Sequence, residues 1–394
     1  MLKSNRILSI DIMRGLTLFL MLFVNDLYVP GVPEWLTHTK ADYDGMGLAD
    51  WVFPGFLFMV GMAIPYAIQS RIRIGDNNLR IFGHVLIRTA SLLLIGVLML
   101  NTSRINPELS GISKNLWAIL MYVSVFLIWN NYRDLSIKVV VFLKALGIIG
   151  LIVLAAVFKS GTPENVSWMH TGWWGILGLI GWGYLVSALV YMLSRESLLK
   201  TGIFCLLFVG LNILSQLQLT SFLDPINPVF GVIISGNVPS IVLTGLFFSL
   251  LLRRIGKENL KKFLLVAIVL GIVVLISGFV LRNWFIISKI KGTPSWAMIC
   301  NGISILVFAV LFFVIDVLGF TRWSALFKPA GQNSLTTYLA PDIIYFIIWS
   351  VSFPVLFYKQ SDIPLVVVAG SLAWAAAMIG FAALLSKIGI RLKL

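Results

Sequence analysis

His38, Asp42, Asp44 and Asp50 fall within thirteen positions of a chain that carries only three histidines and 12% charged residues. Histidine is the side chain best matched to general base work near neutral pH, and a carboxylate beside it can orient the ring and stabilise the imidazolium formed during proton transfer. In that scheme His38 takes a proton from an attacking group and Asp50 orients it. Asn25, thirteen residues before His38, could donate its side-chain amide to a developing oxyanion. Each residue also has a plainer use. A loop histidine is usually solvated, a terminal Asn is often a helix cap, and an Asp opening a helix is favourable through capping and the macrodipole alone. Asp42 and Asp44 are acceptor contacts or solvated charge. No second histidine or cysteine stands at ligand spacing from His38, so no metal is expected.

The elements that must position these groups are membrane helices. The chain is 59% hydrophobic with a mean hydropathy of +0.96, and apolar runs of about 20 residues recur along it, as a bilayer core requires. Twelve spans (10–12) are predicted, at about 8–28, 50–69, 82–100, 115–130, 138–158, 172–193, 201–219, 232–252, 262–286, 296–318, 333–351 and 364–386. The expected fold is an all-α polytopic membrane helix bundle. It forms one transmembrane domain over residues 1–394, because the connecting loops reach only about 21 residues and are too short for a separate soluble domain. Asp11 and Arg14 interrupt the first apolar run and no small-residue cleavage site follows, so that run is expected to stay attached as a signal anchor.

Charge placement sets a sidedness. With the N-terminus inside, nineteen of the 30 Lys and Arg fall on the inner loops and termini and seven on the outer loops; Arg14, Arg88, Lys144 and Arg282 lie within the predicted spans. The positive-inside rule then puts both termini in the cytoplasm and the His38 loop outside. The net charge of +14 is dispersed over short loops, which suits an anionic leaflet rather than nucleic acid. Cys205 and Cys300 sit in apolar runs without CxxC spacing, so they read as packing residues.

Further polar groups gather near both faces. Asp11 and Arg14, three apart, share a helix face: they form an ion pair, or Arg14 holds a phosphorylated ligand entering from the cytoplasm, joined by Arg88, Arg71 and Arg73. Asp224 precedes the eighth span on the outer side, with Asn237 and Ser240 after it. Gln332, Asn333, Ser334 and Asp342 open the eleventh span near the cytoplasmic face. Hydrogen bonds between helices are the simplest use of both sets. No Walker A loop, GxSxG elbow, HExxH or dinucleotide fingerprint stands in a supporting context.

RILSIDIMRGLTLFLMLFVND resembles the R-x-x-S-x-D-x-x-R-G…V-N opening of the heparan-α-glucosaminide N-acetyltransferase family, and GLADWVFPGFLFMVG is similar to its A-D-x-V-F-P-x-F-x-F-x-x-G signature. IRTASLLLIGV resembles the family's third helix, GQNSLTTYL its G-x-N-S motif, and DPINPVFG, more loosely, its Asp-Pro segment. The resemblance implies a membrane acyltransferase that takes acetyl-CoA from the cytosol and acetylates the amine of a terminal glucosamine, or a related glycan, on the far side. It places Asn25 and His38 on the family's Asn and catalytic His, and Asp50 on its motif Asp. It implies a donor site of Arg14, Asp11, Arg88, Asn333 and Ser334, with Asp42, Asp44 and Asp224 toward the acceptor. The expected setting is a bacterial inner membrane, in a form lacking the large extracytoplasmic domain of the animal enzyme; a homodimer through membrane helices follows by analogy. A small-solute transporter, an O-acetyltransferase of an envelope polysaccharide and a non-catalytic membrane partner are the other classes these residues admit.

Overall fold

The computed structural model describes residues 7–133, 135–256, 259–351, 356, 358–359 and 361–394. Twelve long helices dominate it: α1 (Leu8–Asp26), α2 (Leu48–Arg73), α3 (Asn78–Asn101), α4 (Lys114–Trp129), α5 (Ile137–Val157), α6 (Gly175–Ser194), α7 (Leu198–Gln216), α8 (Asn237–Leu251), α9 (Leu260–Leu281), α10 (Pro294–Phe312), α11 (Ser334–Val351) and α12 (Pro364–Lys387). Each answers to one predicted run, so the all-α polytopic bundle is borne out. Among the described residues eleven helical segments are long and apolar enough to cross a membrane. α8 counts as part of the longer helical stretch Ser221–Gly256, which leaves α4 as the exception, its 16 residues reaching only about 24 Å at the α-helical rise. The ninth run stops short of its expected end: α9 closes at Leu281, which puts Arg282 just beyond the helix rather than within a span. A two-stranded hairpin, β1 (Ser160–Thr162) against β2 (Asn165–Ser167), adds a small cap the hydropathy pattern did not reveal.

Burial sorts the helices. Of its apolar stretch, α2 has 78% buried inside the protein, whereas α5 and α7 have 11% each. α2 therefore forms the centre of the bundle, packed on α1, α6, α8 and α10. The outward Val141, Phe142, Ile149 and Ile152 of α5 stay exposed, as they can where hydrocarbon, rather than water, is the surrounding solvent. At the centre Phe58, Phe248, Phe263, Phe308 and Phe312 interlock edge-on or tilted, joining α2, α8, α9 and α10. Such pairs add stability beyond the area they bury.

Two helix crossings depend on glycine. α2 meets α8 where Gly61 lies against the Val242 carbonyl and Gly245 against the Phe58 carbonyl. α1 meets a short helix, Phe327–Gln332, where a Cβ on Gly15 would overlap the Phe327 carbonyl oxygen and one on Gly331 the Asp11 carbonyl oxygen. Small residues let backbones approach this closely inside a membrane. Because the obstruction is backbone and not a movable side chain, Gly331→Ala is expected to cost about 1–3 kcal/mol, the usual range for overpacking. The measurement is the thermal unfolding midpoint in detergent. Gly83→Ala and Gly380→Ala, which meet nothing within 4 Å, serve as controls that should hold or raise the midpoint, because alanine favours a helix over glycine.

Candidate active site

The segment between α1 and α2 folds back over the start of α2. Two 3-10 turns, Val29–Gly31 and Glu34–Leu36, shorten it, and it is tied down from the far side of the chain. Asp44 pairs with Arg282 at 2.9 Å and accepts the Ile287 N–H at 2.8 Å. Asp42 pairs with Lys291 at 2.6 Å, and Ser288 donates to the Ala41 carbonyl. The Ile287 hydrogen bond holds the Asp44 carboxyl below its ordinary range, and the Lys291 contact does the same for Asp42. Both carboxylates, expected to face an acceptor, are thus engaged in fastening this loop to the segment between α9 and α10.

That fastening places His38 on Asp50. Asp50 lies in the first turn of α2 and is fully buried. Its Oδ2 accepts the Gly47 N–H at 3.1 Å, the Thr39 N–H at 3.1 Å and the Thr39 hydroxyl at 3.0 Å, while Oδ1 lies 2.8 Å from His38 Nδ1. The backbone bond to Gly47 is the returning half of a capping box, and the positive end of the α2 dipole favours the charge. An ionised carboxylate only accepts, so Nδ1 carries the proton and donates it toward Asp50. Nε2 is then the ring nitrogen that carries the lone pair. The His38 side chain is 46% exposed while that of Asp50 is 0% exposed, which is the arrangement of an accessible base on a buried orienting group.

A third group, Lys289, completes the cluster. Its Nζ lies 3.2 Å from His38 Nδ1, 3.5 Å from Nε2 and 3.4 Å from the Ala49 carbonyl oxygen. Burial pushes its ammonium below the ordinary lysine range, and the nearby Asp50 charge opposes that shift. Sequence reading missed Lys289 because it stands 251 positions from His38 and looked like one more basic loop residue. Lys289 also lines a cavity of about 1030 Å³ whose walls include Asp224, Trp173, Trp174, Asn227 and Lys291. Asp224, in the turn Ser221–Ile226, thus faces the same space.

Asn25 lies exposed in the last turn of α1, and among the described residues no hydrogen bond joins it to His38 or Asp50. Its neighbour Asp26 is the buried residue. Asp26 is 1% exposed and receives the Tyr345 hydroxyl, the Tyr358 hydroxyl at 2.6 Å and the Lys359 ammonium at 2.7 Å. A buried carboxylate needs such partners to stay ionised. The cluster ties the C-terminal end of α1 to α11 and the segment after it. The signal was a charged residue at the end of an apolar run, overlooked beside a more suggestive amide.

A second cavity, of about 350 Å³, opens between α1, α2, α3, α6 and α11. Arg14, Arg88, Asn333, Ser334, Tyr184 and Lys393 are among its lining residues. Arg14 Nη1 donates to the Gly331 carbonyl at 3.2 Å and lies 3.9 Å from Asp11, which stands behind it and does not line the cavity. Arg88 stacks on the Tyr184 ring at 4.8 Å, and Asn333 donates to Ser386 at 2.9 Å. Arg71 turns away to Asp76 at 3.5 Å, and neither it nor Arg73 lines this cavity. The D-x-x-R-G stretch of α1 and the G-x-N-S stretch before α11, some 320 residues apart by sequence, are therefore one structural unit: the close approach at Gly15 and Gly331 brings Arg14 and Asn333 to the same wall. The cavity runs along α2 as far as Phe56, six residues from Asp50, or about 9 Å along the helix axis.

A polytopic bundle with a cation-lined cavity toward one end of α1 and α2 and a carboxylate–histidine–lysine cluster at the other is a membrane protein with two sites set along the same helices. The chain belongs to the family described as "Domain of unknown function (DUF5009)", whose model matches residues 6–226. That stretch holds Arg14, Asn25, His38, Asp50 and Arg88. The chain is also similar to heparan-alpha-glucosaminide N-acetyltransferase of Mus musculus, 31% identical over 141 residues, covering 34% of this chain and 21% of that protein. With the Homo sapiens protein of the same name it is 35% identical over 96 residues, covering 24% and 14% respectively. The resemblance seen in the motifs is thereby borne out. The match spans about a fifth of the mouse relative's length and less of the human one's.

Proposed function

We propose that this protein is a transmembrane acyltransferase that moves an acetyl group from acetyl-CoA, bound from the cytosolic face, to the amine of a glucosamine-type sugar or related glycan on the opposite face of a bacterial inner membrane. The observation that carries the reading is the placement of two sites along one helix pair, with Arg14 and Arg88 lining one and the His38–Asp50 pair at the end of the other. Guanidinium forks suit phosphate groups, so Arg14 and Arg88 hold the charged end of acetyl-CoA, with Asn333 and Ser334 beside them. The pantetheine arm follows the cavity along α2 and presents the thioester toward Asp50 and His38.

The chemistry is a balanced acyl transfer. The acceptor nitrogen attacks the thioester carbonyl while His38 Nε2 takes one of its protons, and Asp50 stabilises the resulting imidazolium. The Asn25 amide donates to the oxyanion of the tetrahedral intermediate. As the intermediate collapses the C–S bond breaks, the amide forms, and the proton held by His38 passes to the departing thiolate. Asp224 and the tryptophans of the outer cavity contact the sugar. The positive-inside distribution of Lys and Arg supports the sidedness, and the similarity to two N-acetyltransferases supports the reaction class.

The test is to purify the protein into nanodiscs and measure acetyl-CoA binding together with CoA release in the presence of glucosamine. Arg88→Ala and Arg14→Ala are each expected to weaken acetyl-CoA binding roughly ten- to a hundredfold, the range for losing a hydrogen bond to a charged group. Undiminished binding in both variants would remove the phosphate role from this cavity. Absence of any acyl transfer to amine or hydroxyl acceptors, with no acetyl-CoA binding, would sink the reading. Solute uptake without CoA turnover would point to a transporter instead.

A further inference from the structure

Lys289 is the one group of the outer cluster that neither the motifs nor the proposed reaction uses. Its position is chemically specific. The Nζ stands beside the His38 ring, 3.2 Å from Nδ1 and 3.5 Å from Nε2. Nδ1 is already committed as a donor to Asp50 at 2.8 Å, so Lys289 acts there as a charge rather than as a hydrogen-bond donor. The segment that carries Lys289 is fixed by Ser288, whose hydroxyl donates to the Ala41 carbonyl and whose N–H donates to the Thr293 hydroxyl. The ammonium is thus held in place by the same contacts that hold the His38 loop.

We propose that Lys289 is a positioning residue whose ammonium, held against the His38 ring, offsets the nearby Asp50 charge and so keeps the His38 imidazole neutral and ready to accept a proton. With Asp50 ionised and Lys289 charged, the cluster is neutral when His38 is neutral, and protonating the ring would place two cations within 3.5 Å of each other. Like charges at that range disfavour the charged form. Without Lys289, His38 becomes the only cation facing a fully buried carboxylate, and the imidazolium is favoured. The pairing with Asp50 alone would therefore yield a ring that is well oriented and too readily protonated.

The other charged and titratable groups around the cluster leave this balance in place. From α10, Cys300 lies 3.9 Å from the Asp50 carbonyl oxygen. From the loop itself, Asp42 and Asp44 are each neutralised, by Lys291 and Arg282, and Glu34 and Lys40 are exposed. Asp224 lines the same cavity as Lys289, and no ion pair joins the two among the described residues. Burial pushes the Lys289 ammonium down and the Asp50 charge pulls it up, while its contacts are the His38 ring and the Ala49 carbonyl oxygen.

That neutral His38 serves as the base of an acyl transfer rests on the function proposed above, but the electrostatic claim does not. The experiment therefore reads His38 directly. Full-length protein with isotope-labelled histidine is titrated by NMR in nanodiscs, the His38 signal being assigned against His84 and His170 with a His38→Gln sample. Lys289→Met and Lys289→Gln are expected to raise the His38 midpoint by about 1–3 pH units, the usual reach of a neighbouring charge. Lys289→Arg, which keeps the charge, is expected to leave the midpoint within a few tenths of a unit. In the transfer assay the acid limb should move upward with the midpoint in the neutral variants, so activity falls near pH 7 and is retained at higher pH. An unchanged midpoint in either folded neutral variant, or an equal shift in Lys289→Arg, overturns the proposal. If the midpoint moves while no variant or parent transfers acetyl, the role of Lys289 stands and the transferase reading falls. If transfer is active and the midpoint stays, only the role of Lys289 falls.

Discussion

His38→Ala is expected to lower acetyl transfer by roughly 10²–10⁴-fold, the contribution of a positioned general base, while leaving acetyl-CoA binding within about twofold of the parent. The separation follows from where the two sites lie. His38 is on the loop over the start of α2, half-exposed, and touches none of the residues lining the inner cavity. Its removal also leaves the fold intact, because the loop is held by Asp42, Asp44 and Ser288 rather than by the imidazole. The measurement is single-turnover CoA release at saturating acetyl-CoA, alongside donor binding by calorimetry. Turnover preserved in His38→Ala would remove His38 from the chemistry whatever the reaction class. Loss of donor binding would mean that the two sites are not separate.

Asp50→Asn should be as damaging, and for a different reason. In Ser-His-Asp enzymes the corresponding change costs about 10⁴-fold, because the neutral amide supports the wrong imidazole tautomer. Here the constraint is tighter. Asp50 accepts from Gly47, from the Thr39 N–H and hydroxyl, and from His38, and an amide nitrogen turned toward any of them meets a donor. The backbone donors are fixed, so the NH₂ must face His38, and Nδ1 becomes the acceptor. Nε2 then carries the proton and has no lone pair for the acceptor amine. The expected results are a loss on the order of 10⁴-fold in transfer and little change in donor affinity. Asp50→Ala adds a structural defect, since it leaves the buried Gly47 N–H unpaired, at about 1–3 kcal/mol, and removes the partner of the half-buried Thr39 N–H. A small effect of Asp50→Asn on transfer would show that the tautomer of His38 does not matter.

The bundle was legible because lipid-embedded helices must be apolar over about 20 residues, and polar breaks mark their ends well. What hydropathy could not place was what breaks no apolar run: the β1–β2 hairpin within a loop, and the end of α9, which stops five residues before its apolar run does. The His38–Asp50 pairing was open to sequence reading because both residues belong to one short loop closing on a helix start, so local geometry nearly determines their contact. Lys289 was not, since its place beside His38 depends on how the α9–α10 segment packs across the loop, which no spacing encodes. The inner cavity lies between these cases. Arg14, Arg88, Asn333 and Ser334 were grouped by charge-derived sidedness and by motif resemblance, yet the physical reason they meet, the glycine-enabled crossing at Gly15 and Gly331, is a packing fact. Asp11, grouped with them, stands behind Arg14 instead of facing the cavity. Asp42 and Asp44 show the reverse lesson: acidic residues beside a site were easy to see, but their partners at Lys291 and Arg282 lie in another part of the chain.

Transfer across the membrane is tested most directly in sealed vesicles with the protein in one defined orientation. Acetyl-CoA is supplied only on the side of the N-terminus and glucosamine only on the other. N-acetylglucosamine should then appear in the glucosamine compartment, with CoA released on the opposite side, and both should vanish in His38→Ala. Product that forms only when donor and acceptor share a compartment would contradict transfer through the bundle.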